Sequence, residues 1–324
     1  KAWSFFLNDR ELADCNRARD NNKAELETEQ CKVAHMVLPQ SRYNVWDLAN
    51  KKYPGSKIDV VYGHAEKVIP NSHVELAGGR RVEADYVVVA AGGLATPVIL
   101  AQSTTNDAFC PGYHDHPMAY VAKVRLSPNS RLKHVSSATL AAEVRAGLVY
   151  TNDDLKTVIY LRPAIDMKLS SITGPARYIL SDLRNDPFSP KKIMLLLGNL
   201  EAVREAILFK TRLGFRGDYF SILILGEQTP LASRGVTMHP GQRPSLNWEV
   251  TPGELASYQA SVDAFFEEFK GDILEKSILP VRDWAFRNAA HHSGTANKFV
   301  DAQQDANLAF FSAKQLPNTY VCDG

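Results

Sequence analysis

Two adjacent histidines, His291 and His292, stand directly before the turn-forming residues Ser293, Gly294 and Thr295. An imidazole can take up a proton near neutral pH, because its ordinary pKa is about 6.5. A histidine can also bind a metal ion, or its ring can simply cap a turn. The pair by itself therefore leaves proton transfer, metal binding and a purely structural role open.

A second polar cluster, His114-Asp115-His116, stands just before Pro117. Histidine and aspartate are both zinc ligands. Adjacent residues of an extended chain point in opposite directions, however, and the sequence offers no evident third ligand. The cluster therefore favours a structural role, and we predict no metal site.

The stretch "YVVVAAGGLATPVILA" predicts a strand followed by a helix. The apolar run Val87–Val89 is typical of a strand buried on both faces of an α/β sheet. We expect the helix to begin near Ala95, with Pro97 tolerated in its first turn. The small residues between strand and helix are Ala90, Ala91, Gly92 and Gly93. They favour close approach of the backbone to a ligand at the strand end, with close helix–strand packing as the alternative.

The rest of the chain predicts many short strands. Residues 73–84 form two alternating runs joined through Gly78-Gly79, which predicts a hairpin. Short alternating runs between residues 118 and 284 predict antiparallel strands, and the ending "NTYVCDG" predicts one more.

Three segments are expected not to form strands. Residues 252–271 carry apolar and aromatic residues at helical spacing, which predicts an amphipathic helix packed on the core. Residues 41–55 are expected to form a short helix that ends at a Pro-Gly pair. Residues 3–38 are polar and are expected to be helical or irregular.

Charge and composition argue against several classes of partner. The 324 residues include 37 basic and 36 acidic side chains, for a net charge of +1, so neither nucleic acid nor an anionic membrane is an expected partner. The longest apolar stretch is interrupted by glycine and proline and is shorter than the ~20 residues that span a bilayer. The four cysteines form no C-x-x-C pair and do not identify a compartment.

Four stretches, in this order, resemble segments of the glucose–methanol–choline (GMC) oxidoreductase family. They are "KIDVVYGHAEKVI" with the later "VVVAAGGLATPVILAQS", then "GYHDHPM", then "EQTPLASRGVTM", and finally "HHSGT" with "NTYVCDG". Four such segments in order, with plausible gaps, are far more specific than any one of them. The resemblance extends from about residue 42 to residue 324.

The resemblance implies an FAD-dependent oxidoreductase acting on the CH–OH group of a small-molecule alcohol or sugar. In such enzymes the flavin takes the hydride while a base takes the hydroxyl proton. The position of the family's catalytic histidine is that of His291, whereas His292 falls at a variable position of the motif and is the second candidate. The final electron acceptor is not indicated.

The resemblance also implies where FAD would be held. The small residues that follow Val89 would approach the flavin cofactor, and the segment around Asp115 would lie beside it. Ala65 matches a position whose backbone meets the adenine. Asp323 and Gly324 match a position near the pyrophosphate.

Several family features are missing. No G-x-G-x-x-G turn, which would hold the FAD pyrophosphate, occurs in the sequence. Asn297 and Lys298 stand where the family usually has Arg-Met. The second catalytic residue of the family, a His or Asn, has no counterpart before Gly324. We therefore expect an incomplete chain of a GMC enzyme, with a non-catalytic remnant serving as a binding or interaction module as the alternative.

The expected fold class is α/β (α+β). A partial FAD-binding, Rossmann-like domain is expected over residues 1–117. An inserted antiparallel-sheet domain that binds substrate is expected over 118–284, and a return to the FAD-binding domain over 285–324.

Overall fold

The computed structural model describes residues 26–39, 55, 59–104, 108–138, 142–164, 167, 190, 194, 197, 218–239, 243–304 and 311–322. The helix predicted over 41–55 lies almost entirely outside these ranges, and so do Asp323 and Gly324.

Strands dominate the described chain. They are β1 (Cys31–Pro39), β2 (Ala65–Ile69), β3 (His73–Leu76), β4 (Arg80–Glu83), β5 (Val87–Val89), β6 (Phe109–Pro111), β7 (Met118–Leu126), β8 (Ser136–Ala138), β9 (Ala142–Asn152), β10 (Leu155–Pro163), β11 (Tyr219–Gly226), β12 (Gly235–Thr237), β13 (Ser245–Asn247), β14 (Ile273–Ile278), β15 (Val300–Gln304), β16 (Phe311–Ala313) and β17 (Thr319–Val321). The helices with bounds in these ranges are α1 (Gly92–Ser103) and α2 (Pro252–Glu268), and short 3₁₀ turns occupy Arg131–Val135, Val281–Asp283 and Asn297–Phe299. The predicted α/β (α+β) class is confirmed.

The chain divides into two compact units. The first comprises residues 1–54, 117–227 and 252–287. The second comprises residues 55–116, 228–251 and 288–324. The FAD-binding and substrate-binding roles expected for the domains stay predictions.

These units differ from the predicted domains in two respects. Residues 228–251, expected in the substrate-binding domain, belong to the second unit, where β12 pairs with β6 from Gly235↔Pro111 to Thr237↔Phe109. Strand β1, expected in the FAD-binding domain, belongs to the first unit, where it pairs with β9. In both cases pairing between distant segments decides the unit, and no local pattern reveals such pairing.

The first unit is built on one antiparallel sheet. Within the described ranges its strand order is β1-β9-β10-β11-β7-β14, with β8 also beside β9. The expectation that residues 3–38 are helical or irregular is wrong for β1. Cys31 and Val33 are buried while Lys32 and Ala34 are exposed, and this alternation suits a strand with one face on the core.

Helix α2 covers the sheet of the first unit through its predicted aromatic stripe. Tyr258, Val262, Phe265 and Phe266 are buried on α2, which packs against β9 and β10. Phe269, just beyond the helix, is fully buried as well. The predicted amphipathic helix is therefore confirmed. Neither α2 nor any other helix in the described ranges is long and apolar enough to cross a membrane.

The second unit contains three small sheets among its described residues. One has the order β15-β16-β17-β5, a second β13-β12-β6, and the third β2-β3-β4. The hairpin predicted over 73–84 is confirmed as β3 and β4, and both turn glycines, Gly78 (φ 83) and Gly79 (φ 78), have positive φ. One apolar core, which includes Val68, Val89, Leu100 and Val236, joins β2, β5, α1 and β12.

Strand β5 differs from its prediction. It pairs in parallel with β17, from Thr319↔Val87 to Val321↔Val89, and among the described residues no strand pairs with its other edge. Val89 is 5% exposed, but Val88 is 47% exposed. Burial on both faces is therefore wrong for β5, because Val88 and Val89 point to opposite faces and the face of Val88 is about half exposed.

Candidate functional site

Two segments that are distant in the sequence meet in the second unit through a backbone bridge. His114 N donates to Ser293 O, and Ser293 N donates to His114 O, both at 3.1 Å. The "HDHP" and "HHSGT" segments therefore run side by side in antiparallel directions. This contact brings the His114-Asp115-His116 cluster and the His291-His292 pair together in one local structure.

Glycine is required on both sides of this bridge. Gly112 and Gly294 have φ of +93° and +87°, which side chains rarely allow. A Cβ on Gly294 would lie 2.2 Å from Gly112 O and 2.6 Å from His114 Nδ1. The two segments can approach each other this closely only because both positions lack a side chain.

Asp115 is the polar centre of this contact and is only 2% exposed. Its Oδ1 accepts the backbone N–H of His116 at 2.6 Å and the backbone N–H of His291 at 3.1 Å. Its Oδ2 accepts the Tyr113 hydroxyl at 3.1 Å and lies 3.2 Å from Nδ1 of His292. One buried carboxylate therefore holds both candidate histidines, one through its backbone and the other through its ring.

Tyr113 completes the environment of His292. Its hydroxyl oxygen lies 2.6 Å from His292 Nδ1, and the two ring centroids are 5.7 Å apart. Burial, followed by the charge of Asp115 and the hydrogen bond to it, raises the pKa of Tyr113 above its ordinary value. The phenol therefore keeps its proton at neutral pH and can donate it to Asp115.

His291 is held differently from its neighbour. His291 is exposed, and its ring contacts the ring of His116 edge-on, with a distance of 5.6 Å between the ring centroids. No hydrogen bond to its ring nitrogens occurs within the described chain, so these nitrogens are open to a ligand. The preceding Ala290 has φ of 58°, an unfavourable conformation for alanine, next to the backbone N–H that Asp115 accepts.

The beginning of α1 packs against the same loop. A Cβ on Gly93 would lie 2.5 Å from the carbonyl oxygen of His292, so Gly93 is glycine because this backbone passes there. Gly93 therefore packs against the histidine loop, a contact different from the helix–strand packing that was the alternative.

Thr295 replaces a hydrogen bond that Pro97 removes from α1. The helix begins at Gly92, earlier than predicted near Ala95, so Pro97 lies beyond the first turn. Proline has no N–H for the carbonyl four residues earlier, which is that of Gly93. The hydroxyl of fully buried Thr295 donates to Gly93 O at 2.5 Å instead.

The other small residues at the start of α1 remain accessible. Ala90, Ala91 and Gly92 are exposed, and a Cβ on Gly92 (φ +82°) would meet nothing within 4 Å. The first turn carries no acidic residue, and Ala91 provides no side-chain cap. The Ala91 N–H donates to Thr96 Oγ1 at 3.0 Å, so it is the open space beside Gly92 and the positive end of the helix dipole that suit an anionic group such as a pyrophosphate.

The remaining residues predicted to contact FAD lie further from the histidine loop or outside the described ranges. Ala65 begins β2 and packs beside the core of the second unit, and none of the described hydrogen bonds joins it to the loop. Cys322 N donates to Val89 O at 3.1 Å, which brings the chain just before Asp323 and Gly324 to the end of β5.

Sequence reasoning missed Tyr113 and Gln228 as site residues. Gln228 Oε1 accepts the Asp115 backbone N–H at 3.3 Å and the Trp248 indole N–H at 2.7 Å. Both residues stood inside the quoted segments "GYHDHPM" and "EQTPLASRGVTM". Tyr113 could have been sought there as a donor to the Asp115 carboxylate, and Gln228 as an acceptor for its backbone N–H, since buried polar groups require hydrogen-bond partners.

Lys298, one of the two residues that differ from the GMC motif, makes a structural contact. Its Nζ donates to Phe109 O at 2.8 Å and lies 4.9 Å from the centroid of the Phe299 ring. Within the described ranges, no three His, Cys, Asp or Glu side chains are grouped as they would be around a metal ion.

No family model and no curated protein matches this chain. Among solved structures, it is similar to an arginine-to-alanine variant of formate oxidase from Aspergillus oryzae RIB40, described for its effect on FAD modification. The TM-score is 0.49 at 15% identity, covering 98% of this chain and 66% of that chain.

Two further formate oxidase structures are similar. The first has a TM-score of 0.39 at 14% identity and covers 80% of this chain and 55% of that chain. The second, an arginine-to-lysine variant from the same organism, has a TM-score of 0.40 at 13% identity, with 81% and 55% covered. The chain thus spans 55–66% of the length of these structures.

Proposed function

We propose that this chain is the site-bearing part of an FAD-dependent oxidoreductase that oxidises the CH–OH group of an alcohol or sugar. The observation that carries the proposal is the buried carboxylate of Asp115, which holds the backbone of His291 and the ring of His292. A positioned imidazole beside an accessible helix N-terminus suits proton removal next to a bound anionic cofactor.

His291 is the proposed base. Its ring nitrogens form no hydrogen bond with the described residues, while its backbone is fixed by Asp115, so the ring can turn toward a hydroxyl without moving the loop. General base catalysis needs this combination of an available lone pair and a defined position. His292 is the second candidate.

The residues at the start of α1 fit an FAD pyrophosphate. Ala91 and Gly92 are exposed, open space lies where a side chain on Gly92 would stand, and no acidic side chain in the first turn repels an anion. When bound, FAD would supply the acceptor for the hydride. Ala65, Ala90, Asp323 and Gly324 are the further proposed backbone contacts, whereas Gly93 is occupied by the packing of His292.

The proposal is tested by FAD binding to the natural protein that contains this chain. Purification with excess FAD should give visible flavin absorbance that remains after gel filtration. Ala91→Glu should lower the affinity for FAD about tenfold, because its carboxylate repels phosphates while favouring the helix N-terminus. Flavin fluorescence titration measures the affinity.

Ala95→Glu is the matched control, because Ala95 is an exposed residue of the same helix, four residues after Ala91. It should bind FAD as tightly as the unmodified protein. A colourless protein after purification with excess FAD would contradict the proposed function and favour a binding module without catalysis. Equal loss of affinity in both variants would contradict the role of Ala91.

A further inference from the structure

The ring of His292 lies between two oxygen atoms that both approach the same nitrogen. Tyr113 Oη is 2.6 Å from Nδ1, and Asp115 Oδ2 is 3.2 Å from it. Within the described chain, Nε2 of this ring has no hydrogen-bond partner. The environment of the two ring nitrogens is therefore strongly unequal.

The position of the ring proton follows from the donors available. An ionised carboxylate can only accept, and a phenol has one proton to donate. Tyr113 donates that proton to Asp115 Oδ2, so its oxygen is left as an acceptor for Nδ1. If Nδ1 carried no proton, its lone pair would face the Asp115 carboxylate at 3.2 Å, an unfavourable contact.

Burial makes this arrangement costly to break. The Asp115 side chain is completely buried, and Tyr113 is completely buried as well. A buried acceptor that is left without its donor reduces the free energy of unfolding by about 1–3 kcal/mol. The Tyr113 phenol also stays protonated at neutral pH, because its ordinary pKa is about 10, and burial and the Asp115 charge raise that pKa further.

We propose that Tyr113 and Asp115 are positioning residues that hold His292 as the tautomer with its proton on Nδ1, leaving Nε2 as a fixed hydrogen-bond acceptor. A histidine without such neighbours can take either tautomer. The mechanistic meaning rests on the proposed function, but the tautomer itself does not depend on it.

This assignment defines the kind of ligand group that His292 can meet. A neutral ring with an open Nε2 lone pair accepts a hydrogen bond from a hydroxyl or amine. It offers no proton at Nε2 to a carboxylate. With His291 as the proposed base, the open Nε2 lone pair lets His292 orient the substrate hydroxyl by accepting its hydrogen bond.

The tautomer can be measured directly by nitrogen-15 NMR of protein labelled at its nine histidines. At a pH where imidazoles are neutral, one ring should show protonated Nδ1 and unprotonated Nε2. His292→Gln should remove that signal and so assign it. Asp115→Asn should convert it to a mixture of tautomers or to the Nε2-protonated form. Tyr113→Phe should retain it in part, because the carboxylate remains.

Asp59→Asn and Tyr62→Phe are matched controls at exposed positions and should leave the signal unchanged. Circular dichroism verifies that each variant is folded. A predominantly Nε2-protonated His292 in the unmodified protein would overturn the proposal, even if Asp115→Asn does not fold. So would a folded Asp115→Asn with an unchanged signal. A protein that binds no FAD but shows the Nδ1 tautomer contradicts only the proposed function.

Discussion

At the scale of single residues, Asp115 has the largest influence on the candidate site. The sequence showed it as the middle of a His-Asp-His cluster and favoured a structural role. Its carboxylate does have a structural role, which is to position the loop that carries both candidate histidines. A buried carboxylate that accepts three hydrogen bonds and lies beside the His292 ring can fix side chains and a strained turn at Ala290 together.

The first prediction concerns His291. His291→Ala should lower turnover of the FAD-loaded protein about 10²–10⁴-fold, because a positioned general base contributes that much to the rate. Flavin absorbance should stay the same. Steady-state kinetics with an alcohol that is a substrate of the unmodified protein measures the effect.

His239→Ala is the control, since this exposed histidine contacts Ser245 away from the candidate loop. Its turnover should match that of the unmodified protein. An unchanged rate in His291→Ala would move the base to His292 or elsewhere.

At the scale of elements, the link between α1 and the histidine loop is the decisive feature. Pro97 removes an N–H from the helix, Thr295 supplies a hydroxyl in its place, and Gly93 lets the loop come close enough. One contact, between the start of α1 and the histidine loop, therefore accounts for all three residues.

A double-mutant cycle tests this link. Thr295→Val should reduce the free energy of unfolding by about 1–3 kcal/mol, because it leaves the buried Gly93 carbonyl without a donor. In a Pro97→Ala background the same change should cost less, because residue 97 then has an N–H for that carbonyl. Urea unfolding of the four proteins measures the coupling.

Thr319→Val is a control, since the hydroxyl of this buried threonine donates to Pro317 O at a long distance of 3.4 Å. Its loss of stability should be smaller than that of Thr295→Val. Strictly additive effects of the Thr295 and Pro97 changes would contradict the compensation.

At the scale of the whole molecule, the antiparallel sheet with α2 forms a separate unit from the one that carries the site. Its stability includes a partly buried ion pair. Asp272 accepts the Arg131 backbone N–H at 2.7 Å and two guanidinium N–H groups at 3.2 and 2.8 Å. Burial alone would raise the pKa of Asp272, but the bonds from Arg131 lower it below its ordinary value.

This pair predicts an acid-dependent loss of stability. Because the pKa of Asp272 is lower in the folded state, its contribution is complete above the unfolded value of about 3.9 and is lost as pH falls through the folded value. Asp272→Asn should therefore lower the melting temperature more at pH about 7 than at pH about 3. Differential scanning calorimetry measures both.

Asp59→Asn, at an exposed position, serves as the reference and should shift the melting temperature little at either pH. An equal effect of Asp272→Asn at the two pH values would exclude the proposed coupling to protonation.

Local pattern was sufficient for the hairpin at Gly78-Gly79, for α2 and for most antiparallel strands. Each of these depends on periodicity and turn residues that lie close together in the chain. It was insufficient for β1 and for the exposure of Val88 on β5. Those properties depend on which distant strand pairs with β1 and on which distant segments cover each face of β5, and nothing in the local residues specifies these partners.

By itself, the sequence determined which residue types could do chemistry, the order of the segments that resemble GMC enzymes, and the local elements. Only the tertiary structure decided that Asp115 holds both histidines, that Thr295 compensates for Pro97, and that residues 228–251 belong to the unit with the candidate site. The physical reason is that buried hydrogen bonds must be satisfied by whichever groups packing brings together, and here those groups lie far apart in the chain.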